Sequence, residues 1–535
     1  NVYRTQINDL LLSALTRLLH TWTGHHTHLI DLEGHGREDL FDTTDLSRTV
    51  GWFTTMFPVT LTHAPDWDTQ IKTTKQTLHT IPRHGIGHGL LHHHTHHNIP
   101  APTPDLSFNY LGRFDHNGPL HSQLILNNGH EYHPDEERAH LLDLVAYIDQ
   151  DDTLALSWIF STTLHDPKTI NHLADSLLHE LKELVTFCQS EHAGGATPCD
   201  FPLVDIDQAT TDRLATTTTA DIWPLTPMQQ GMLFHSLLHN DNAYLEQITL
   251  TIEGLDNPER LAHAWQQVID NTPSLRAIPT WDNLTTPLQI ITTHTTIPTT
   301  IHDWRHKDPH TRQTDLDQLR LTDQNTPLNL TTAPLMRLNL IRITDNTTTL
   351  IWTFHHILLD GWSLPLVLDD VFTTYTGNTP TPRPSFRDHL AWITHQDHQQ
   401  GLTYWHNTLA NIESPTPLPY DGDPSTRREA RSHQRIETTL NHTQTHTIRT
   451  FAQQEKLTIN TIIQGAWALL LAAHSGHTDI IFGATTSGRP ADQPDIENAI
   501  GIYINTLPVR TTITPQTPIT TWLHNLQNHQ LTARQ

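Results

Sequence analysis

Two adjacent histidines in the second half of the chain stand where an apolar run meets a turn. Residues 350–354 read LIWTF, which is typical of a buried strand, and His355-His356-Ile357-Leu358-Leu359-Asp360-Gly361 follows directly. Aspartate and glycine favour a turn. A histidine fixed at a strand end can exchange a proton with a substrate or orient a nucleophile. Since the chain holds 43 histidines, the spacing HHxxxDG after a strand is the signal, rather than the pair alone.

A carboxylate and a guanidinium flank two glycines near the start of the chain. The string Glu33-Gly34-His35-Gly36-Arg37-Glu38 suggests a tight turn that presents Glu33 and Arg37 to a cavity, although taken alone it favours a solvated loop. Three further strings follow it in order: residues 48–54 (RTVGWFT), 82–89 (PRHGIGHG) and 108–115 (FNYLGRFD).

These motifs carry a family resemblance. HHxxxDG resembles the active-site motif of the condensation-domain superfamily, which includes chloramphenicol acetyltransferase-like acyltransferases and the condensation and epimerization domains of nonribosomal peptide synthetases. The four strings of residues 1–190 look like the second half of an epimerization domain, with His88 where the family usually has an aromatic residue. Residues 223–233 (WPLTPMQQGML) resemble the opening motif of condensation domains, and Ser274-Leu275-Arg276 resembles the next, with Asn271 in place of an earlier arginine.

The resemblance implies an α/β fold, the chloramphenicol acetyltransferase-like pair of lobes set in a V. We expect one isolated C-terminal lobe of an epimerization domain at residues 1–190. A linker at 191–220 is indicated by glycines, prolines and a threonine-rich run. A condensation domain should then cover 221–535, with an N-lobe at about 221–390 and a truncated C-lobe at about 400–535.

An internal repeat supports this organisation without any family knowledge. Residues 457–510 repeat the layout of residues 6–59. Each copy has an apolar helix, a strand, a Gly-Arg turn (Gly36-Arg37 and Gly488-Arg489) and a glycine-initiated strand that ends in proline. The sequence therefore predicts two copies of one lobe, the first without an HHxxxDG half of its own.

The resemblance also implies roles for the condensation site. The acceptor amine attacks the donor thioester carbonyl, and His356 contacts that amine, either as general base or as an orienting group. Five other residues are expected to support the site. His355 is structural, Asp360 holds the loop by pairing with an arginine such as Arg276, Gly361 permits the turn and leaves room for a pantetheine arm, and Asn505 lines the channel.

For residues 1–190 the implied chemistry is inversion at Cα of a carrier-bound aminoacyl thioester. Glu33 is then the acid/base, with Arg37 and Tyr110 in support. The opposing histidine belongs to the missing half, since no HHxxxDG precedes these residues in the given sequence, and we therefore expect no epimerase activity from this chain.

Composition narrows the possible partners. The chain has 31 basic and 57 acidic residues, a net charge of −26, which argues against nucleic acid. Two cysteines, Cys188 and Cys199, fit a reducing cytosol, and no apolar run approaches the about 20 residues that span a bilayer, so a cytoplasmic protein without a membrane partner is expected. The histidine cluster at 92–97 fits a metal site or an incidental surface; no acidic residue or cysteine accompanies it, and we expect no metal.

These features together predict a fragment of a nonribosomal peptide synthetase, an enzyme of antibiotic and other secondary-metabolite biosynthesis. Its condensation domain should join a D-configured donor to an L-configured acceptor. We expect no bound cofactor; 4′-phosphopantetheine arrives on carrier (thiolation) domains upstream and downstream, loaded by an adenylation domain. Two alternatives stay open: a catalytically silent fragment that only docks carriers, and a free-standing acyltransferase that uses CoA.

Overall fold

The computed structural model describes residues 2–41, 44–94, 103–113, 137–149, 151–239, 242–412, 415–418, 434–490 and 492–533. The chain divides into two compact units, Asn1–Asp221 (unit 1) and Ile222–Gln535 (unit 2). Within the described residues no single helix is long and apolar enough to cross a membrane; one sharply bent pair of helices, His442–Gln454 with Ile459–Ser475, meets the criterion by length and composition only.

Unit 1 is built on a five-stranded mixed sheet in the order β2-β1-β3-β4-β5. The central pairs β1–β3 and β3–β4 are parallel, and the outer pairs are antiparallel. The strands are β1 (Thr27–Gly34), β2 (Thr55–Thr62), β3 (Leu106–Arg113), β4 (Leu142–Ile148) and β5 (Leu154–Phe160). The helices are α1 (Ile7–Thr23), α2 (Trp67–His79), α3 (Gly87–His94), α4 (Pro167–Cys188) and α5 (Gln208–Leu214).

The core of unit 1 follows from two periodicities. Helix α1 buries Leu11, Leu15 and Leu18, at helical spacing, against one face of the sheet, and α4 closes the same core. Strand β1 turns Ile30 and Leu32 to that core. Side chains alternate along a strand, so Asp31 and Glu33 lie on the opposite face.

The segment 191–220, predicted as a linker, is folded onto unit 1. It contains a 3-10 turn at Pro198–Asp200 and helix α5, and Asp207 caps α5 by accepting from the Thr210 amide. The buried Lys75 Nζ lies 2.6 Å from an oxygen of Asp200, and Arg4 donates to the Thr219 carbonyl at 2.6 Å. Glycine and proline content predicts irregular backbone, but it says nothing about a lysine 125 positions away that fixes the segment in place.

The first part of unit 2, which we call the N-lobe (222–394), holds two sheets. Strand β12 is central in the larger one, whose order is β10-β11-β12-β7; the smaller has the order β6-β9-β8. The strands are β6 (Thr219–Pro224), β7 (Leu245–Glu253), β8 (Ala277–Thr280), β9 (Leu288–Thr292), β10 (Thr299–Asp303), β11 (Met336–Thr344) and β12 (Thr347–His355). The helices are α6 (Pro227–His239), α7 (Pro258–Asn271), α8 (Pro309–Gln324), α9 (Ser363–Tyr375) and α10 (Phe386–Thr394). Every residue of β12 after the first is buried, which confirms the predicted buried strand.

The rest of unit 2, which we call the C-lobe (398–533), has one antiparallel pair of described strands. Its elements are α11 (His398–Thr408), α12 (His442–Gln454), α13 (Ile459–Ser475), β13 (Asp479–Thr486), β14 (Asn505–Thr512) and α14 (Ile519–Ala533). The order α13-β13-β14-α14 repeats α1-β1-β2-α2, which confirms the internal repeat.

The two copies also share an unusual backbone detail at their Gly-Arg turns. Gly36 and Gly488 have φ of +63° and +61°. A Cβ on Gly36 would stand 1.7 Å from the carbonyl oxygen of Phe53, and one on Gly488 would stand 1.6 Å from that of Tyr503. Only glycine fits such a position, so the repeat extends to the conformation of the turn.

Candidate active site

His355 is the last residue of the buried strand β12, and both of its ring nitrogens are hydrogen-bonded. Its Nδ1 accepts from the Ile357 amide at 3.1 Å, so Nε2 carries the proton and lies 3.2 Å from Oγ of Ser236 on α6. Ser236 in turn donates to the Met232 carbonyl at 2.8 Å. Burial, with a smaller contribution from His356, lowers the pKa of His355 to about 4. His355 is therefore neutral near pH 7 and ties the end of β12 to α6.

His356 has different surroundings. Its amide donates to the Tyr244 carbonyl at 2.8 Å, which fixes the backbone beside the start of β7. The side chain is half-buried, and its Nδ1 has no hydrogen-bond partner among the described residues. Buried polar atoms are normally bonded. Because Nδ1 is shielded from solvent, an external amine can approach the ring only at its other nitrogen, Nε2.

Asp360 is the most heavily bonded side chain of the site. Fully buried, it receives Arg489 Nη1 at 2.9 Å and Nη2 at 3.2 Å, together with the Tyr503 amide at 3.0 Å. Both donors belong to the C-lobe, and the Arg489 guanidinium lies over the Tyr503 ring at 4.3 Å. A buried carboxylate needs such partners. We call this contact between the lobes of unit 2 the clasp.

Ser363, at the start of α9, completes the clasp. Its hydroxyl donates to the Gly501 carbonyl at 2.8 Å and accepts from Arg489 at 3.0 Å. The Asp360 amide donates to the same Gly501 carbonyl at 3.1 Å. The turn after His356 is therefore held by both charge and backbone contacts.

The predicted pairing of Asp360 with Arg276 is wrong. Arg276 donates to the carbonyls of Ile269 at 3.1 Å and Thr293 at 2.9 Å, so it joins the end of α7 to the segment after β9. Cations favour the carboxyl end of a helix, where carbonyls lack internal partners. That local attraction explains why Arg276 stays with its own neighbours.

Gly361 is not required by the turn, which corrects the role predicted for its backbone. Its φ lies outside the left-handed region, and an added Cβ would meet no atom within 4 Å. Asn505 is exposed at the start of β14, where its Oδ1 accepts from the Thr506 amide at 2.9 Å. Its placement in a channel stays a prediction.

Sequence reasoning missed Arg489, Ser363 and Tyr503 as members of this site. The sequence identifies Gly488-Arg489 as half of the repeat, but nothing in that spacing points to an aspartate 129 positions earlier as its partner. Gln229 was also missed, although it lies in the opening string of the domain. Its buried side-chain amide donates to the Ile357 carbonyl at 3.0 Å and so stabilises the turn that follows β12.

In unit 1 the half-buried Glu33 accepts from Asn109 Nδ2 at 2.5 Å. Burial raises the pKa of Glu33, and the charge of Asp143 raises it further. His140 lies 2.8 Å from Asp31 and 3.4 Å from Asp143, which extends this polar network across the sheet face. A carboxyl group with a raised pKa stays protonated to a higher pH and is there a better proton donor than an ordinary glutamate side chain.

Tyr110 and Arg37 do not join Glu33 in the described structure, contrary to the predicted grouping. Tyr110 packs against the hydrophobic core, on the face of β3 opposite to Asn109. Arg37 donates to the Leu46 carbonyl at 2.6 Å and lies over the Phe53 ring at 4.2 Å. Among the described residues, the hydrogen-bond partner of the Glu33 carboxylate is Asn109, and not Arg37 or Tyr110.

The predicted histidine cluster is described only in part, because residues 95–100 lie outside the described residues. His92 stacks on His88 with ring centroids 6.2 Å apart. In the described part of the chain, no group of three or more histidine, cysteine or acidic side chains could hold a metal ion.

The fold and the site define a two-lobe α/β protein with a histidine at the end of a buried strand, preceded by a second copy of one lobe. The Condensation domain family model matches residues 1–197 and 219–535. The chain belongs to this family, which confirms the predicted fold class.

Several relatives with similar sequences are large synthases. A linear gramicidin synthase of Brevibacillus parabrevis is 38% identical over the whole chain, and chondramide synthase cmdD of Chondromyces crocatus is 33% identical over the same length. Bacitracin synthase 1 of Bacillus licheniformis is 31% identical over 95% of the chain. The chain spans only 7%, 15% and 10% of these three proteins. Among solved structures, the condensation domain from Monacolin K polyketide synthase MokA is similar over 59% of this chain and 74% of that domain. The sequence identity is 18% and the TM-score is 0.49.

Proposed function

We propose that unit 2 forms a peptide bond between two acyl groups held as thioesters on carrier domains of a nonribosomal peptide synthetase. The observation that carries this proposal is the strand-end His356, whose Nδ1 has no partner among the described residues, whereas the side chains of His355 and Asp360 are hydrogen-bonded. Membership of the condensation domain family and the similarity to the gramicidin and bacitracin synthases support it.

In the proposed reaction the acceptor amine attacks the donor carbonyl, so that a C–N bond forms and the C–S bond of the donor thioester breaks. The proton lost by the amine ends on the departing thiolate. His356 contacts the amine, as the base that carries this proton or as the group that orients the lone pair. Neutral His355 places no positive charge beside the reacting amine.

Both reactants are thioesters on 4′-phosphopantetheine arms, so the arms are substrates here and not resident cofactors. Tethering replaces a bimolecular encounter by a local one. The open space beside Gly361 fits the approach of such an arm past the turn. The adenylation domain that loads the carriers is a partner in the same proposal.

For residues 1–190 we propose the C-terminal lobe of an epimerization domain. Glu33, with its Asn109 partner and raised pKa, is the group that moves the proton at Cα. An epimerizing unit hands on a mixture of L and D thioesters, because inversion is close to thermoneutral. Unit 2 therefore selects the D donor and an L acceptor, and a preference of about 3 kcal/mol corresponds to roughly a hundredfold rate ratio.

The test uses the natural synthetase with synthetic L- and D-donor thioesters on the upstream carrier and one L acceptor. His356→Ala should lower the rate of peptide bond formation by about 10²–10⁴. His474→Ala, an exposed histidine on α13, serves as the control and should leave the rate unchanged. Near-normal condensation by His356→Ala contradicts the assigned role.

The same assay separates the alternatives. Equal rates for the two donors remove the stereochemical assignment but leave condensation intact. Turnover of an acyl-CoA donor in place of the carrier thioester supports the free-standing acyltransferase. Carrier binding without turnover in the unmodified protein supports the silent docking fragment.

A further inference from the structure

Three polar side chains form a row across the middle of the sheet in unit 1, on the face opposite to its core. Asp31 on β1 is the register partner of Ser107 on β3, and Ser107 is the register partner of Asp143 on β4. The Ser107 hydroxyl donates to Asp143 at 2.6 Å. Because side chains on one face of a strand repeat every second residue, Glu33 lies one step further along β1, about 7 Å from this row.

His140, in the segment that enters β4, joins the two ends of the row. The side chain is 8% exposed, and its Nε2 lies 2.8 Å from Asp31 while its Nδ1 lies 3.4 Å from Asp143. A carboxylate oxygen only accepts, so carboxylates at both ring nitrogens favour a hydrogen on each, and the ring then carries a positive charge. The proton transfer proposed for Glu33 does not yet use this buried imidazole.

A second cation completes the row. The Arg138 guanidinium bonds to Asp143, and it also donates to the carbonyls of His140 at 3.1 Å and Ile159 at 3.2 Å. Two carboxylates and two cations leave the row without net charge. If a neutral side chain replaced the imidazolium, the row would carry one net negative charge beside Glu33, and such a charge favours the protonated form of a carboxyl group.

The groups on the other sides of Glu33 add little charge of their own. On β3, Asn109 is neutral and donates to Glu33, and β2 has no titratable residue in its sequence. Titratable groups near the ends of these strands are paired with each other, His84 with Glu38 at 3.8 Å and Arg113 with Asp152 at 3.0 Å. Burial raises the pKa of Glu33 most; the charge of Asp143 raises it further and that of His140 lowers it.

We propose that His140 is a positioning residue for Glu33: held between Asp31 and Asp143, its positive charge keeps the row neutral and thereby controls proton exchange at the Glu33 carboxyl group. Glu33 takes the proton from Cα of the bound thioester or returns one to it. His140 acts only through Glu33 and exchanges no proton itself. The proposal rests on the proposed function of residues 1–190 and adds a residue to it.

Carbon-13 NMR of the 535-residue chain measures this control directly, without any need for turnover. When glutamate is labelled at its side-chain carboxyl carbon, the Glu33 resonance is the one that is missing from Glu33→Gln. His140→Gln should raise the pH midpoint of that resonance by about half a pH unit or more, because a positive charge is lost. Asp143→Asn should lower the midpoint, because a negative charge is lost.

His172→Gln is the matched control, because His172 is an exposed histidine on α4, which packs on the core side of the sheet. It should leave the midpoint unchanged. Opposite shifts in His140→Gln and Asp143→Asn support the proposal, because a loosened fold would expose Glu33 and lower both midpoints. A midpoint that stays in place or falls in His140→Gln, or that moves equally in His172→Gln, overturns the proposal.

The natural synthetase separates this proposal from the function on which it rests. Solvent deuterium exchange at Cα of a carrier-bound aminoacyl thioester, measured against pH, should show an inflection that Glu33→Gln abolishes. His140→Gln should move that inflection upward by the same amount as the NMR midpoint. A midpoint that moves without the exchange profile overturns Glu33 as the group that moves the proton. A midpoint that does not move overturns the role of His140, whatever the exchange profile shows.

Discussion

At the scale of single residues, His355 and His356 show how strand geometry separates structure from chemistry. The His355 imidazole is hydrogen-bonded to Ser236 and to a backbone amide. His356 is fixed by its main-chain amide, and its Nδ1 has no described partner. Substitutions at the two positions should therefore differ in kind. A change at His355 acts on stability and one at His356 acts on rate.

The low pKa of His355 predicts a pH-dependent stability of unit 2. Its folded pKa of about 4 lies below the ordinary value of 6.5, so the unfolded chain binds the proton more tightly. The stability contribution is complete above pH 6.5 and is lost as the pH falls from 6.5 to 4, by about 3 kcal/mol in total.

Urea unfolding of unit 2, followed from pH 7.5 down to 4.5, measures this dependence. His355→Gln removes the titrating group and should flatten the curve over that window. His389, whose pKa burial also lowers, remains as a weaker source of the same trend. An unchanged slope in His355→Gln contradicts the argument.

At the scale of elements, the segment 191–220 is a fixed connection and not a free tether. Lys75 on α2 is buried and binds both carboxylate oxygens of Asp200, at 2.6 and 2.7 Å, as well as the Tyr3 carbonyl at 2.8 Å. The segment carries the chain from unit 1 to the start of β6. Its anchoring therefore decides how firmly the beginning of β6 is held.

Lys75→Met should release this segment. The substitution leaves the poorly exposed Asp200 without its cation, and breaking a buried pair in this way costs about 3–5 kcal/mol. We expect limited proteolysis between residues 191 and 218 to accelerate strongly.

Lys168→Met is the control, because Lys168 is an exposed lysine on α4. Surface substitutions usually change the free energy of unfolding by less than about 0.5 kcal/mol, so cleavage should change little. Equal acceleration by both variants would show that Asp200 does not anchor the segment.

Local patterns predicted much of the fold, and long-range pairing explains what they missed. The apolar run before His355 and the repeated Gly-Arg turns depend only on neighbouring residues, so they can be predicted from the sequence. The alternation of Phe108, Asn109 and Tyr110 predicts that Asn109 lies on the face opposite to the core, but its position beside Glu33 depends on the register between β1 and β3. The bond between Asp360 and Arg489 depends on how two lobes meet, which no local spacing encodes.

At the scale of the whole molecule, the two copies of the repeat contain the same helix in two environments. It is packed beneath other elements in unit 1, and one of its faces is exposed in the C-lobe. Helices α1 and α13 have 17 residues each, and Leu11, Leu15 and Leu18 align with Ile463, Trp467 and Leu470. The first three are buried beneath α4 and the sheet, whereas the last three are exposed. The C-lobe therefore presents an apolar stripe where unit 1 has a core.

This stripe predicts that the chain self-associates through α13, because contiguous exposed apolar side chains favour contact with one another over water. Trp467→Ala should lower the associated fraction in sedimentation velocity and change the free energy of unfolding by less than about 0.5 kcal/mol, since Trp467 is 43% exposed. Leu15→Ala, at the aligned and fully buried position of α1, should cost about 2–5 kcal/mol and leave association through α13 unchanged. Association that persists in Trp467→Ala would show that another surface mediates it. A large loss of stability in Trp467→Ala would mean that α13 is already covered in solution and that the two copies of the lobe are more alike than their burial shows.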